Sequence, residues 1–183
     1  MTKTTSSIHF KAKLQRPAEP ANATWTFLIL PKAASGKLPT RSMTTIDGSL
    51  DGASFQATLE PDGKGSHWLK VDKKLREAAG AKAGDEVELE IRPVDEEPEP
   101  KVPDDLRKAL ADAPPEARAT WKDITAVARR DWIHWITSGK KAETRVRRID
   151  VACDKLANGQ RRACCFDRSG MYSNSLAPPE AAD

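Results

Sequence analysis

The segment LKVDKKLREAAGAKAGDEVEL, residues 69–89, contains the signals that decide the fold of the first half of this chain. Asp72 precedes a short helical pattern that ends at Gly80, so the two residues take the places of a helix N-cap and a C-terminal glycine. Gly84-Asp85 predicts a tight turn, and apolar residues then alternate with charged ones from Val87 onward. The segment therefore predicts a strand, a short helix, a turn and a final strand with one buried face.

Further strand patterns lie upstream of this segment. Apolar residues alternate with polar ones in two stretches, and a denser β-rich run stops at Pro31. Another run leads to Asp47-Gly48, which predicts a turn. With the last strand, over 87–91, these patterns predict six short strands and one small helix, which is typical of a compact β-barrel. The upstream strand candidates are 8–14, 25–30, 40–46, 55–59 and 67–71.

Residues 93–103 form an acidic, proline-rich bridge with four prolines and four carboxylates. Such a composition cannot bury a core and favours extended backbone, so we expect a linker here. Residues 119–168 carry 12 basic and 6 acidic side chains, a net charge of +6, although the whole chain carries only +3. The expected organisation is a barrel domain over 7–92, the linker over 93–103, a helical domain over 104–163 and a mobile C-terminal tail over 164–183.

Apolar residues at helical spacing run through 104–163. Leu106 and Leu110 share one helix face, and Pro114-Pro115 ends that helix and begins the next. Thr125 is the predicted N-cap of a third helix that ends at Ser138-Gly139. A fourth helix has the most regular apolar stripe, and the whole stretch predicts a small helical bundle. The stripe consists of Ala142, Val146, Ile149, Cys153 and Leu156.

The segment 130–148 combines two tryptophans with concentrated positive charge, a pairing that suits anionic ligands. Two interpretations stay open. The tryptophans are core residues and the arginines are ion-paired on a solvated helix flank, or an exposed indole lies beside guanidinium groups that bind phosphate or carboxylate. A carboxylate at position 143 would also favour the start of the last helix. The candidate ligand- or anion-binding residues are Trp132, Trp135, Lys140, Lys141, Glu143, Arg145 and Arg148.

Several function classes lack their sequence signals. No phosphate-binding loop, dinucleotide fingerprint or nucleophile elbow is present, and the segment 63–67, with its lysine, serine and histidine, predicts a hairpin turn. The three cysteines have no metal-ligand spacing, so we expect reduced packing cysteines. We therefore expect no catalytic residue, no cofactor and no metal. The longest apolar run, over 27–30, is too short to span a membrane, and residues 1–13 lack a signal-peptide core, so a cytoplasmic protein without membrane insertion is expected.

The segment 69–89 resembles the strand–helix–turn–strand unit of AbrB-like double-split barrels. Together with Ile46-Asp47-Gly48 and the segment 63–67, it is closer still to a bacterial barrel family of unknown function with that fold. The resemblance covers residues 7–92. It implies an α+β protein of two domains, in which a small double-split β-barrel is followed by a small all-α helical bundle.

The string W-I-x-x-x-K-x-x-E-T-R-x-x-R-I, residues 135–149, resembles the bacterial family described as bacteriocin-protection or OmpD-associated. The resemblance covers residues 101–163. Gly139 stands where alanine is usual in that family, which we expect to loosen this corner of the bundle. The family combines such a bundle with the barrel, so the two resemblances support each other. The family description implies a protection phenotype and no particular reaction.

Three functional hypotheses follow. The first is a non-enzymatic binding module of a stress or bacteriocin-protection type, with an unidentified ligand or protein partner. The second is a nucleic-acid-binding regulator that uses the AbrB-like barrel and the basic helical module. The third, and weakest, is a small-molecule enzyme with a pocket at the domain junction. The sequence contains no signal for the oligomeric state.

Overall fold

The computed structural model describes residues 6–139, 141–163 and 177–182. These residues form two compact units. The boundary between the units lies between Asp95 and Glu96, and residues 177–182 belong to the first unit. The first unit contains β1 (Ile8–Lys13), β2 (Thr26–Ile29), α1 (Lys32–Ser35), β3 (Thr44–Leu50), β4 (Ala53–Pro61), β5 (His67–Val71), α2 (Lys73–Ala79) and β6 (Glu86–Pro93). The second contains α3 (Asp104–Asp112), α4 (Pro115–Asp123), α5 (Ala126–Thr137) and α6 (Ala142–Ala157).

The strands of the first unit form a nearly closed antiparallel barrel. Their order is β1-β6-β3-β4-β5-β2, and Gln15 and Phe27 exchange two backbone hydrogen bonds of 2.8 and 2.9 Å where the two edge strands approach each other. The alternating positions predicted to face inward line the core, and Leu14, Ile46 and Leu89 are fully buried there. The sequence prediction of a six-stranded barrel is confirmed at this level. The assignment to the AbrB-like double-split class stays a prediction.

The helix α2 begins and ends where the sequence predicts. The Asp72 Oδ1 atom accepts a hydrogen bond of 2.7 Å from the Leu75 N–H, which caps the first turn. Gly80 ends the helix in the left-handed conformation, with φ of 68°. The short helix α1 was not predicted, because four residues after Pro31 contain no helical periodicity.

The predicted turn at Asp47-Gly48 is wrong. Both residues lie inside β3, and the chain turns instead at Asp51 and Gly52, which have φ of 46° and 88°. Gly48 pairs with Ile91 on one side and with Phe55 on the other. A Cβ atom at Gly48 would lie 2.5 Å from the Glu90 carbonyl oxygen, so glycine permits a close approach of β3 and β6.

The second unit packs its helices around an apolar core. Leu106, Ala117, Trp132, Ile136 and Leu156 are almost completely buried there. The predicted stripe of α6 holds only in part, since Val146 is 59% exposed whereas Ala152, outside the stripe, is fully buried. The buried face of α6 is rotated because its first turns present arginines, rather than Val146, to the other helices. Cys153 is half-buried, and Cys164 and Cys165 lie outside the described residues.

The two segments predicted to be a linker and a tail make defined contacts. In the predicted linker, Glu97 and Glu99 pair with arginines of α5 at 3.1 and 2.7 Å. In the predicted tail, the Glu180 carbonyl accepts a 2.7 Å hydrogen bond from Ala18, and the Ala182 N–H donates to Arg16. The rest of that predicted tail, 164–176 and 183, lies outside the described residues. Within the described residues, no helix is long and apolar enough to cross a membrane.

Candidate functional site

The two tryptophans of the predicted site lie in the core of the second unit. Trp132 is fully buried and Trp135 is 9% exposed, and their ring centroids are 6.2 Å apart at an interplanar angle of 78°. The Trp132 indole N–H donates a hydrogen bond of 3.2 Å to the Arg161 carbonyl oxygen. The core interpretation of these residues therefore agrees with the structure, and neither ring forms an open stacking surface.

Arg148 is engaged by the end of α5. Its Nη1 atom donates to the Trp135 carbonyl at 2.6 Å and to the Ser138 hydroxyl at 2.9 Å. Its guanidinium carbon lies 5.3 Å from the centroid of the Trp135 ring, which is cation–π distance. A charged donor at the carbonyl end of a helix also interacts favourably with the helix dipole. Arg148 thus connects α6 to the end of α5 through hydrogen bonds.

Arg145 is paired with a carboxylate of α3. Its Nε and Nη2 atoms donate to the two Asp105 oxygens at 2.6 and 3.0 Å, a bidentate geometry. These hydrogen bonds lower the pKa of the Asp105 carboxyl below its usual value and raise the pKa of the Arg145 guanidinium. The fork of Arg145 is therefore occupied by the protein's own carboxylate.

The pairing predicts a measurable pH effect. The lowered pKa of Asp105 means that its contribution to stability is present above the usual value of 3.8 and is lost as the pH falls through the lowered value. Both side chains are partly exposed, so the contribution is no more than about 1 kcal/mol. In Arg145→Gln we expect the Asp105 pKa, measured by carboxyl NMR titration, to rise toward its usual value. The control Arg147→Gln should leave it unchanged, and an unchanged Asp105 pKa in Arg145→Gln would contradict the pairing.

Two more of the predicted residues, Lys141 and Glu143, lie at the start of α6. Lys141 occupies the N-cap position without a side-chain cap, and Glu143 lies in the first turn, where a carboxylate faces the positive end of the helix. Both are exposed, and Lys140 lies outside the described residues. Gly139 packs closely rather than loosely against this start, because a Cβ atom there would lie 3.1 Å from Thr144 Cγ2.

Two more arginines repeat the arrangement of Arg148. Arg118 of α4 donates to the Ala111 and Ala113 carbonyls, at 3.0 and 2.6 Å, at the end of α3. Arg129 of α5 donates to the Trp121 carbonyl at 3.1 Å, at the end of α4, and also forms a bidentate pair with Glu99 at 2.7 Å. Carbonyl groups at the ends of α3, α4 and α5 thus accept hydrogen bonds from an arginine of another helix. Much of the basic charge of this unit serves the fold.

The second unit contains a buried ion pair that was not predicted from the sequence. Arg130 and Glu97 approach to 3.1 Å, with only 13% and 11% of their side chains exposed. Nearby His134 has a lowered pKa, chiefly because of burial; Asp131 opposes this shift, and Arg130 and Arg148 add smaller lowering effects. His134 is therefore held neutral near pH 7. Glu97 belongs to the acidic bridge, whose composition favoured a solvated linker, so only the fold could reveal this pair.

A serine–histidine pair in the first unit is also part of the core. The Ser35 hydroxyl lies 2.6 Å from His67 Nδ1, and His67 Nε2 lies 2.9 Å from the Ser42 carbonyl. Since a carbonyl only accepts, Nε2 carries the proton and Nδ1 accepts from Ser35. Ser35 and His67 are 5% and 1% exposed, so a substrate cannot reach the hydroxyl. The segment 63–67 contains a turn, as predicted, but its histidine ties β5 to α1.

A basic groove on the first unit is the open cluster of cations that the sequence analysis missed. We define the basic groove as the hollow of about 320 Å³ lined by Arg16, Ala23, Thr24, Trp25, Arg76, Lys82 and Ala83. Among the described residues, the lining contains three cations and no carboxylate. Arg16 comes from the segment after β1, Trp25 from the residue before β2, Arg76 from α2 and Lys82 from the loop before β6. These residues are far apart in sequence, so no local pattern indicates their proximity.

The walls of the basic groove are held in place. Arg76 Nη1 donates to the Thr24 carbonyl at 3.1 Å, and the Asp85 carboxylate accepts the Lys82 backbone N–H at 2.8 Å. The Lys70 ammonium lies 4.6 Å from the Trp25 ring centroid. Within the described residues, no carboxylate is paired with the Arg16, Arg76 or Lys82 side chain. Arg76 retains further N–H donors in its planar fork, so the groove can receive an anion.

A hollow of about 570 Å³ elsewhere on the first unit has a different character. It lies against β3, β4 and β6 and has both signs of charge, with Asp47, Glu90 and Arg92 in its lining. The Asp47 carboxylate accepts a 2.8 Å hydrogen bond from Gln56. Mixed charge makes this surface a weaker candidate for a charged ligand than the basic groove. Among the described residues, no group of three or more histidine, cysteine or carboxylate side chains could hold a metal ion.

Comparison with known families divides the chain in the same way as the fold. Residues 99–159 match the profile of the family described as bacteriocin-protection, YdeI or OmpD-associated. Residues 10–91 match a domain of unknown function, DUF1905. No curated protein matches the chain. The first match covers the four helices and the second covers most of the barrel, so each match falls within one compact unit.

Proposed function

We propose that this protein is a non-enzymatic, cytoplasmic binding module of a bacteriocin-protection type, and that it binds an anionic ligand in the basic groove. The observation that carries the proposal is the convergence of Arg16, Arg76 and Lys82 on one hollow without a paired carboxylate in the described part of the chain. The family match of residues 99–159 supports the protection-associated role. In this proposal the barrel belongs to the AbrB-like double-split class and presents the ligand site.

The basic groove differs from the corner around Arg145 and Arg148 because the arginines at that corner already have partners within the fold. Arg145 is neutralised by Asp105, and Arg148 donates to a carbonyl and a hydroxyl. An anion at that corner would have to displace these hydrogen bonds and would leave helix carbonyls unsatisfied. In the basic groove, an anion would add hydrogen bonds to Arg76 without breaking an ion pair. The barrel is therefore the favoured site, and the arginines Arg145 and Arg148 stabilise the helical unit itself.

Calorimetric titration with inorganic pyrophosphate tests this proposal. We expect saturable binding to the wild-type protein at low salt, and at least a tenfold loss of affinity in the double variant Arg76→Gln/Lys82→Gln, because each charged hydrogen bond contributes roughly 1.5–3 kcal/mol. The matched control is Arg41→Gln/Lys64→Gln, which removes the same two residue types at exposed barrel positions outside the groove. Equal losses in the two double variants, or no binding by the wild type, would contradict the proposal.

A further inference from the structure

A second hollow of about 260 Å³ lies next to the basic groove. The two hollows share Arg16 and Ala83 in their linings, and the second adds Lys13 from the end of β1. We call the two hollows together the basic track. Four cations line this track, namely Lys13, Arg16, Arg76 and Lys82. A single small anion needs only part of this length, whereas a chain of anionic groups could occupy all of it.

The charge of the basic track is not cancelled by its own lining. No carboxylate contributes to either hollow among the described residues. Asp85, three residues after Lys82, accepts a 2.8 Å hydrogen bond from the Lys82 backbone N–H through one carboxylate oxygen and thereby fixes the loop that carries Lys82. Clefts lined by one sign of charge concentrate ligands of the opposite sign. The ligand should therefore carry several negative charges in a row.

Trp25, the one aromatic residue in the described lining of the basic track, adds a second chemical requirement. Its indole is half-buried, so the ring is held by the fold but still reaches the hollow. Lys70 lies against the ring at 4.6 Å, which helps to fix its orientation. A planar heterocycle stacks on an indole with a gain that does not depend on its hydrogen-bonding edge. Charges in a row and a planar ring occur together in a chain of nucleotides.

We propose that the basic track binds a single-stranded nucleic acid, with its phosphates along Lys13, Arg16, Arg76 and Lys82 and one base against Trp25. This inference rests on the proposed anion-binding function and names the anion. A single strand fits better than a duplex, because stacking on a side chain requires a base whose face is not already covered by its neighbours. Four phosphate contacts to a single strand predict that log K falls with log salt concentration with a slope of about −3.

Fluorescence anisotropy with labelled ten-nucleotide oligo-dT tests the inference on the full chain. The competitors are inorganic polyphosphate of similar length, which has the charges without the bases, and thymidine monophosphate, which has one phosphate group and one base. We expect oligo-dT to bind with the salt slope given above. In Trp25→Leu its affinity should fall about tenfold while polyphosphate binds as before, and Trp25→Phe should restore most of the loss, because stacking is retained.

The outcomes separate this inference from the proposed function. If pyrophosphate binds to the basic groove but oligo-dT binds no better than polyphosphate, or Trp25→Leu leaves its affinity unchanged, the nucleic-acid inference fails and the anion-binding function stands. If thymidine monophosphate competes as well as oligo-dT, the ligand is a free nucleotide and the inference of a strand is overturned. If none of these anions binds at low salt, both proposals fail. Circular dichroism of each variant confirms that the barrel is folded.

Discussion

Replacing Trp132 with alanine should lower the free energy of unfolding of the helical unit by about 3–5 kcal/mol. Trp132 is the largest fully buried side chain of the protein's described residues, and it contacts Trp135 edge to face. Its loss leaves a cavity and also removes the hydrogen bond to the Arg161 carbonyl. Guanidinium denaturation followed by far-UV circular dichroism measures the change, because most of the described helix lies in this unit.

Trp132→Phe is the control for this experiment. It keeps an aromatic ring in the core but removes the indole N–H, so we expect less than half of the alanine effect. If Trp132→Ala is as stable as the wild type to within about 0.5 kcal/mol, the size of a neutral surface substitution, the core position of Trp132 is wrong. In that case the alternative interpretation, an exposed indole beside the arginines, would regain support.

Arg148→Ala should destabilise the helical unit by about 2 kcal/mol and leave pyrophosphate affinity unchanged. The substitution removes two charged hydrogen bonds at the end of α5 and the contact with the Trp135 ring. Arg147→Ala is a closely matched control, because it is the same residue type one position earlier on α6 but is exposed. Its effect should stay within about 0.5 kcal/mol. Chemical denaturation and calorimetric titration of both variants measure the two quantities.

These two measurements distinguish an arginine that stabilises the fold from an arginine that binds the ligand. If Arg148→Ala keeps the stability of the wild type but abolishes pyrophosphate binding, Arg148 belongs to the ligand site and the assignment of the barrel groove is wrong. Equal stability losses in Arg147→Ala and Arg148→Ala would point to a general effect of charge, and would contradict the role of Arg148 in fastening α5 to α6.

Local sequence signals predicted the secondary structure well where one residue determines the backbone. Helix α2 begins after Asp72 and ends at Gly80 as predicted, and the Thr125 hydroxyl oxygen caps α5 by accepting a hydrogen bond from the Ala128 N–H. The turn at Asp47-Gly48 was wrong because two Asp-Gly pairs lie four residues apart, and the strand pairing of Gly48 with Ile91 decides between them. Register is a property of the whole sheet, so the dipeptide alone could not indicate which pair turns.

Periodicity was less informative about the functional site. It left a core and an exposed interpretation of the two tryptophans open, and it assigned Val146 to the buried face of α6, where Arg145 and Arg148 reach the other helices instead. The methylene groups of arginine can pack at partly buried positions. A pattern that divides residues only into polar and apolar assigns these positions to solvent. The basic groove was missed for a different reason. Its residues come from four separated segments, and they meet only when the barrel closes.

The most direct test of the account is an NMR titration of the isotope-labelled wild-type protein with pyrophosphate. The central claim is that the open anion site lies on the barrel and that the arginines of the helical unit are occupied by the fold. We therefore expect the largest shifts at the Trp25 indole N–H, the Arg76 side chain and the Lys82 backbone amide, with little change at Arg145 and Arg148. Shifts concentrated on Lys141, Arg145 and Arg148, with none in the basic groove, would contradict the account.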